Sequence, residues 1–144
     1  MDVVRSIGTS LARLVSTQKI LLKPFLLHAM VETPASLNFF LNPSGQLPNC
    51  TPQVHAVIRQ YAVLLFSSVL VALSFAFKDL DESSGQAAGA LALYHLAPVV
   101  RATGRLMDRQ AVWQPLLFVT VHGVCLAGLL SCCWELYLKN HFAT

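Results

Sequence analysis

His28 and Glu32 stand four residues apart, a spacing that puts an imidazole and a carboxyl on one face of a helix. Together they could act as acid and base, supply two ligands to a metal ion, or satisfy each other through a mutual hydrogen bond. His55 and Arg59 repeat the spacing, and there the arginine can extend its stem toward lipid headgroups. Tyr94, His95 and His122 lie inside stretches that are otherwise free of charge. An ionisable residue in apolar surroundings turns toward a protein interior and marks a substrate or proton path, or it bonds one helix to the next. Glu32, Arg59, Tyr94, His95 and His122 come from four different segments, which a helical bundle can bring around one cavity.

The segments that must position these residues are apolar. Gln110 to Trp134 is a run of 25 residues without Asp, Glu, Lys or Arg, Gln60 to Phe77 gives 18 more, and Gly85 to Val100 gives 16. At about 1.5 Å per residue the first of these runs is long enough to cross a bilayer with tilt. In the 144 residues, hydrophobic types make up 55% and charged types 12%, about half the charge of a typical soluble domain. The expectation is a single all-α domain, a polytopic membrane protein with an antiparallel four-helix transmembrane bundle over residues 20–138. Its spans are expected near 20–40, 56–78, 86–101 and 111–136, with Pro98 kinking or ending the third. Residues 1–19 carry Val3, Val4, Ile7, Leu11, Leu14 and Val15 at helical spacing, opposite Arg5, Arg13 and Lys19. That pattern predicts an interfacial amphipathic helix near 3–17.

Orientation is contested within the sequence. Four crossings with an inner N-terminus leave six basic residues inside and four outside; three crossings would leave eight against two. The sequon Asn49-Cys50-Thr51 asks for a lumenal loop and glycosylation of Asn49, which four crossings supply. The apolar weight of Ile20 to Leu22, Phe25 to Leu27 and Phe39 to Leu41 decides for four, in an endomembrane such as the endoplasmic reticulum. The loops Asn42–Pro52 and Arg101–Arg109 then face one side.

Glu32 and Pro34 closing a first helix, a long loop, an Arg59-led second helix and Leu93-Tyr94-His95 in a third form a recognisable layout. It resembles small four-helix membrane proteins, the DoxX-like group and related uncharacterised families, some from fungal metabolic clusters. The resemblance spans residues 20–138 and implies an up-down bundle, with no particular reaction.

Several classes are excluded or disfavoured. The net charge of +3 comes from scattered residues, so nucleic-acid binding is not expected. Cys125, Cys132 and Cys133 lie in the last apolar run and Cys50 in a loop, without a Cys-x-x-Cys pair; they read as small apolar side chains, with acylation of Cys132 or Cys133 as the alternative. No nucleophile, phosphate-loop, haem or dinucleotide motif is present, so no cofactor and no metal is assigned. Small residues at four-residue spacing predict helix packing or a homo-oligomer: Ser68/Ala72, Gly85/Gly89 and Gly123/Ala127/Ser131. The functional expectation is a polar intramembrane pocket for a lipophilic metabolite, as a biosynthetic isomerase or cyclase or an accessory to one. Glu32 would handle the proton, His95 would polarise the ligand, and Arg59, Tyr94 and His122 would bind it. The alternatives are a noncatalytic complex subunit or scaffold, and a transporter component working as an oligomer.

Overall fold

In the computed structural model, residues 23–47, 49–108 and 112–142 are described, and all their regular structure is helical. Four long helices, α1 (Pro24–Leu41), α3 (Pro52–Phe75), α4 (Glu82–Met107) and α5 (Trp113–Phe142), are joined by loops, with a single-turn α2 (Pro43–Gln46) between the first two. Three of the five begin on proline, whose missing N–H falls where a helix has no partner for it anyway. Asn42 and Thr51 cap α2 and α3 by accepting from the amides of Gly45 and Val54.

A capping box starts α4. Asp81 accepts from the Ser84 amide at 2.7 Å, and the Ser84 hydroxyl faces the Asp81 amide at 2.8 Å. The Ser84 amide first, and the Ser84 hydroxyl second, hold the Asp81 carboxyl below the usual carboxylate range, with a smaller contribution from Lys78. A lowered folded-state pKa means stability that is present above the ordinary value of 3.8 and is lost as pH falls through the folded value. Asp81→Asn should therefore keep the cap but flatten the acid limb of a melting-temperature profile measured below about pH 5. An unchanged acid limb would show that this carboxylate does not contribute to it.

Two hairpins build the bundle: α1 against α3, and α4 against α5, closed into a ring by α1 on α5 and α3 on α4. One end is packed solid by Phe25, Ala29, Val69, Ala72, Ala76, Ala88, Leu91, Ala92, Leu129 and Cys132. Half of these are alanines, which let helix axes approach closely. Gly85 does the same for α4 and α5, since a Cβ there would sit 2.5 Å from Leu136 Cδ2. Gly89 also faces α5, across from Cys133.

Two expectations need correction, and one left open between bundle packing and a homo-oligomer is narrowed. The third helix is not ended by Pro98 but runs on to Met107, because the rest of its last turns still bond normally and α5 packs along it. The fourth starts at Trp113 and extends to Phe142. Gly123, Ala127 and Ser131 do not form an internal packing face: Ala127 and Ser131 are exposed, and nothing lies within 4 Å of a Cβ built on Gly123. The expected helix at 3–17 and the start of the 20–40 segment lie outside the described residues.

Among the described residues two helices, α3 and α5, are long and apolar enough to cross a membrane, and only 22% of each apolar window is buried. The outward faces carry Met30, Leu64, Leu93 and Leu117, each more than half exposed. Soluble monomers rarely show such a continuous apolar exterior.

Candidate functional site

His28, Glu32, His95 and His122 are all buried, the first three at 1% exposure or less. On α4, Ala88, Ala92 and His95 follow one another at helical spacing, so the alanine-packed face leads directly to the histidine. On α5, His122, Cys125, Leu129 and Cys132 do the same. The packing that closes one end of the bundle thus sets the depth and direction of the polar residues above it.

The three imidazoles form a chain. His28 Nδ1 lies 2.8 Å from His95 Nε2, and His95 Nδ1 lies 2.9 Å from His122 Nδ1. At the other end His28 Nε2 meets Ser68 Oγ at 3.1 Å, and the Ser68 hydroxyl donates to the Leu65 carbonyl at 2.6 Å. Ser68 has one proton, already committed, so His28 Nε2–H must donate to it. For neutral rings every later tautomer follows: His95 Nε2–H donates to His28 Nδ1, and His122 Nδ1–H donates to His95 Nδ1. His122 Nε2 is left as the free acceptor.

Glu32 joins at the centre. Tyr94 donates its hydroxyl to Glu32 Oε2 at 3.1 Å, and Tyr61 reaches Tyr94 from behind at 3.4 Å. The second carboxyl oxygen, Oε1, is buried with no hydrogen-bond partner among the described residues. It lies 3.5 Å from His122 Nδ1 and 3.7 Å from His95 Nδ1. Buried carboxyl oxygens are nearly always satisfied, so this one asks for an explanation.

Beside the cluster, a cleft of about 470 Å³ runs to the end of the bundle opposite the alanine core. Glu32, Tyr94 and His122 line its inner end, apolar walls come from Phe39, Leu65 and Phe118, and Arg101, Arg105, Gln46 and Gln114 line it nearer the helix ends. Phe118 stacks on the His122 ring at 5.7 Å. Gln46 and the two arginines share this cleft, which puts the loops after α1 and after α4 at one end of the molecule. Pro98 also lines it, and proline has no N–H to offer the Tyr94 carbonyl one turn earlier.

The structure therefore brings together Glu32, Tyr94, His95 and His122, and it does not bring Arg59 to them. Arg59 is exposed and donates through Nε to the Phe40 carbonyl at 3.3 Å, satisfying one of the last carbonyls of α1. His28 spends its nitrogens on His95 and Ser68 rather than on its helix neighbour Glu32. His55 faces the Leu47 carbonyl at 3.3 Å. Asn49 is exposed with φ 61°, a left-handed conformation that asparagine tolerates. Sequence reasoning gave Ser68 a helix-packing role and left Arg101 and Arg105 in a loop, without placing any of the three at the site. The signal for the arginines is spacing: Tyr94, Pro98, Arg101 and Arg105 form one helical stripe once the helix is allowed past Pro98. No family profile, curated protein or solved structure matches this chain.

Proposed function

We propose that this chain is a multi-pass membrane protein whose cleft takes a lipophilic small molecule and presents a polar group of it to Glu32, Tyr94 and His122. The cleft carries the reading: apolar walls, a polar inner end and two arginines toward its mouth suit an amphipathic molecule with an anionic or hydroxyl head. The membrane setting is supported by α3 and α5, by the apolar exterior and by exposed Trp113 and Trp134 at opposite ends of α5. Glu32 belongs to the shorter α1 and is hidden inside the bundle, which removes the main cost of letting α1 cross as well. Four crossings then place the cleft mouth on the side of Asn49, the lumenal side if that sequon is used.

A carboxyl and imidazoles within 3.5–3.7 Å of one another can take a proton from one atom of a bound molecule and return it to another. That is the chemistry of an isomerase or cyclase, with Glu32 and His122 at the reacting end and His95 behind His122. A scaffold role is the second reading. It is favoured by the exposed small-residue stripe of Gly123, Ala127 and Ser131, which could receive a partner helix.

Thermal melting of the protein in detergent separates the two readings, with a long-chain fatty acid, a prenyl alcohol and a sterol as probes. At least one should raise the melting temperature, by about 2.7 kcal/mol of stabilisation at a hundredfold excess over Kd. Ala97→Trp, which fills the cleft from its wall, should abolish that shift while leaving the ligand-free melting temperature within error. No shift with any probe would remove the pocket reading and leave the scaffold.

A further inference from the structure

Glu32 Oε1, His95 Nδ1 and His122 Nδ1 form a triangle with edges of 3.7, 3.5 and 2.9 Å. Two of those edges are too long for hydrogen bonds. They are close to the separation of about 3.3 Å between neighbouring ligands of a tetrahedral ion with bonds of about 2.0–2.1 Å. The three atoms lie on a circle of radius about 2.0 Å, so one point is at metal-bonding distance from all of them.

We propose that Glu32, His95 and His122 bind a divalent first-row transition-metal ion at that point. Two imidazoles and one carboxylate are a donor set for zinc or ferrous iron that leaves coordination positions free. The surroundings are those of metal ligands. His95 is held by His28, and His28 by Ser68, so the tautomer fixed by the Leu65 carbonyl turns the His95 Nδ1 lone pair toward Glu32 and His122. Tyr94 occupies Glu32 Oε2 and leaves Oε1 as the ligand oxygen. The proton between the two Nδ1 atoms belongs to His122, and for the ion to take its place neutral His122 turns to its Nε2–H tautomer, which frees Nδ1 as a ligand and moves the proton to the nitrogen left without a partner.

His28 also offers a ligand atom within 4.8 Å of those of Glu32 and His95. It faces Nε2 of His95, on the far side of the ring from Glu32, and so it positions the site instead of joining it. His122 and Glu32 both line the cleft, so a free coordination position would meet the cleft's occupant. The inference rests on the side-chain triangle alone and does not depend on what that occupant is.

The test uses full-length protein in detergent, stripped with EDTA and titrated with Zn(II), and with Co(II) followed by its visible absorption. One equivalent should bind, with Co(II) bands of a low-coordinate nitrogen and oxygen site. Glu32→Gln and His122→Gln should each weaken binding at least 100-fold, and His28→Gln should weaken it about 10–100-fold through His95. His141→Gln, on an exposed turn of α5, should change nothing. Helical circular dichroism and gel-filtration elution confirm that each variant folds. Where Glu32→Gln does not fold, Glu32→Asp keeps the carboxylate and must shift the Co(II) spectrum. Wild-type binding that survives Glu32→Gln and His122→Gln, or no binding at about 100 µM metal, overturns the proposal. Ala97→Trp should retain full metal binding, so a failed lipid screen and a failed metal site give different results.

Discussion

His95→Leu should lower the melting temperature of the detergent-solubilised protein by several degrees, a larger loss than any other single change in the polar cluster. His95 is the hub, joined to His28 at 2.8 Å and to His122 at 2.9 Å, and none of its surface reaches solvent. Leucine fills a similar volume, so the loss is not a cavity effect. It leaves His28 Nδ1 and His122 Nδ1 without their partner, at about 1–3 kcal/mol for each stranded group. A total of about 2 kcal/mol or more corresponds to roughly 4–8 °C for a chain of this size. The informative companion is the quadruple variant His28→Leu, Glu32→Met, His95→Leu and His122→Leu. Replacing a whole buried polar network by apolar groups of like volume strands nothing, and it is commonly neutral or stabilising. The quadruple variant should therefore melt above His95→Leu while having lost metal binding. A quadruple variant that melts below the single one would mean that the cluster serves mainly to hold the helices together.

Ala88→Phe should disrupt the molecule from further away. Ala88 has no exposed surface and is packed in the core shared by all four long helices. A ring there has no free volume, and overpacking of this kind costs about 1–3 kcal/mol or more. His95 lies two turns along the same face of α4, so a displaced helix also draws His95 away from His28 and His122. The expected result is a lower melting temperature together with weakened Co(II) binding. Ala88→Ser, which keeps the small volume and can bond the preceding turn, should retain both. If Ala88→Phe melts normally and binds metal normally, the alanine face does not set the position of His95.

Much of this is legible in the sequence. Charge-free runs located α3, α4 and α5, because a missing charge is a local property of the chain. The inward turn of Glu32, Tyr94, His95 and His122 follows from the cost of leaving such groups in apolar surroundings, which is equally local. What could not be read is which face of each helix meets which neighbour. Arg59 shows this: its charge and its place early in α3 suggested a ligand-binding group, but its helix presents it to the end of α1. His28 shows it from the other side. Its spacing to Glu32 is correct for contact, yet two partners on other helices, His95 and Ser68, hold its ring more effectively. The overrun of α4 past Pro98 has a third cause. Proline removes one helical hydrogen bond, and packing along α5 offsets that loss, a contribution from outside the helix's own sequence.

The alanine-filled end has a consequence for traffic. The depth between Phe25 and Cys132 is filled by the core, and the cleft lies on the other side of the polar cluster, toward Arg105. On the proposed reading, a molecule held against Glu32 meets a cul-de-sac on the alanine side, which suits a protein that alters or retains a visitor better than one that conducts it through the bundle.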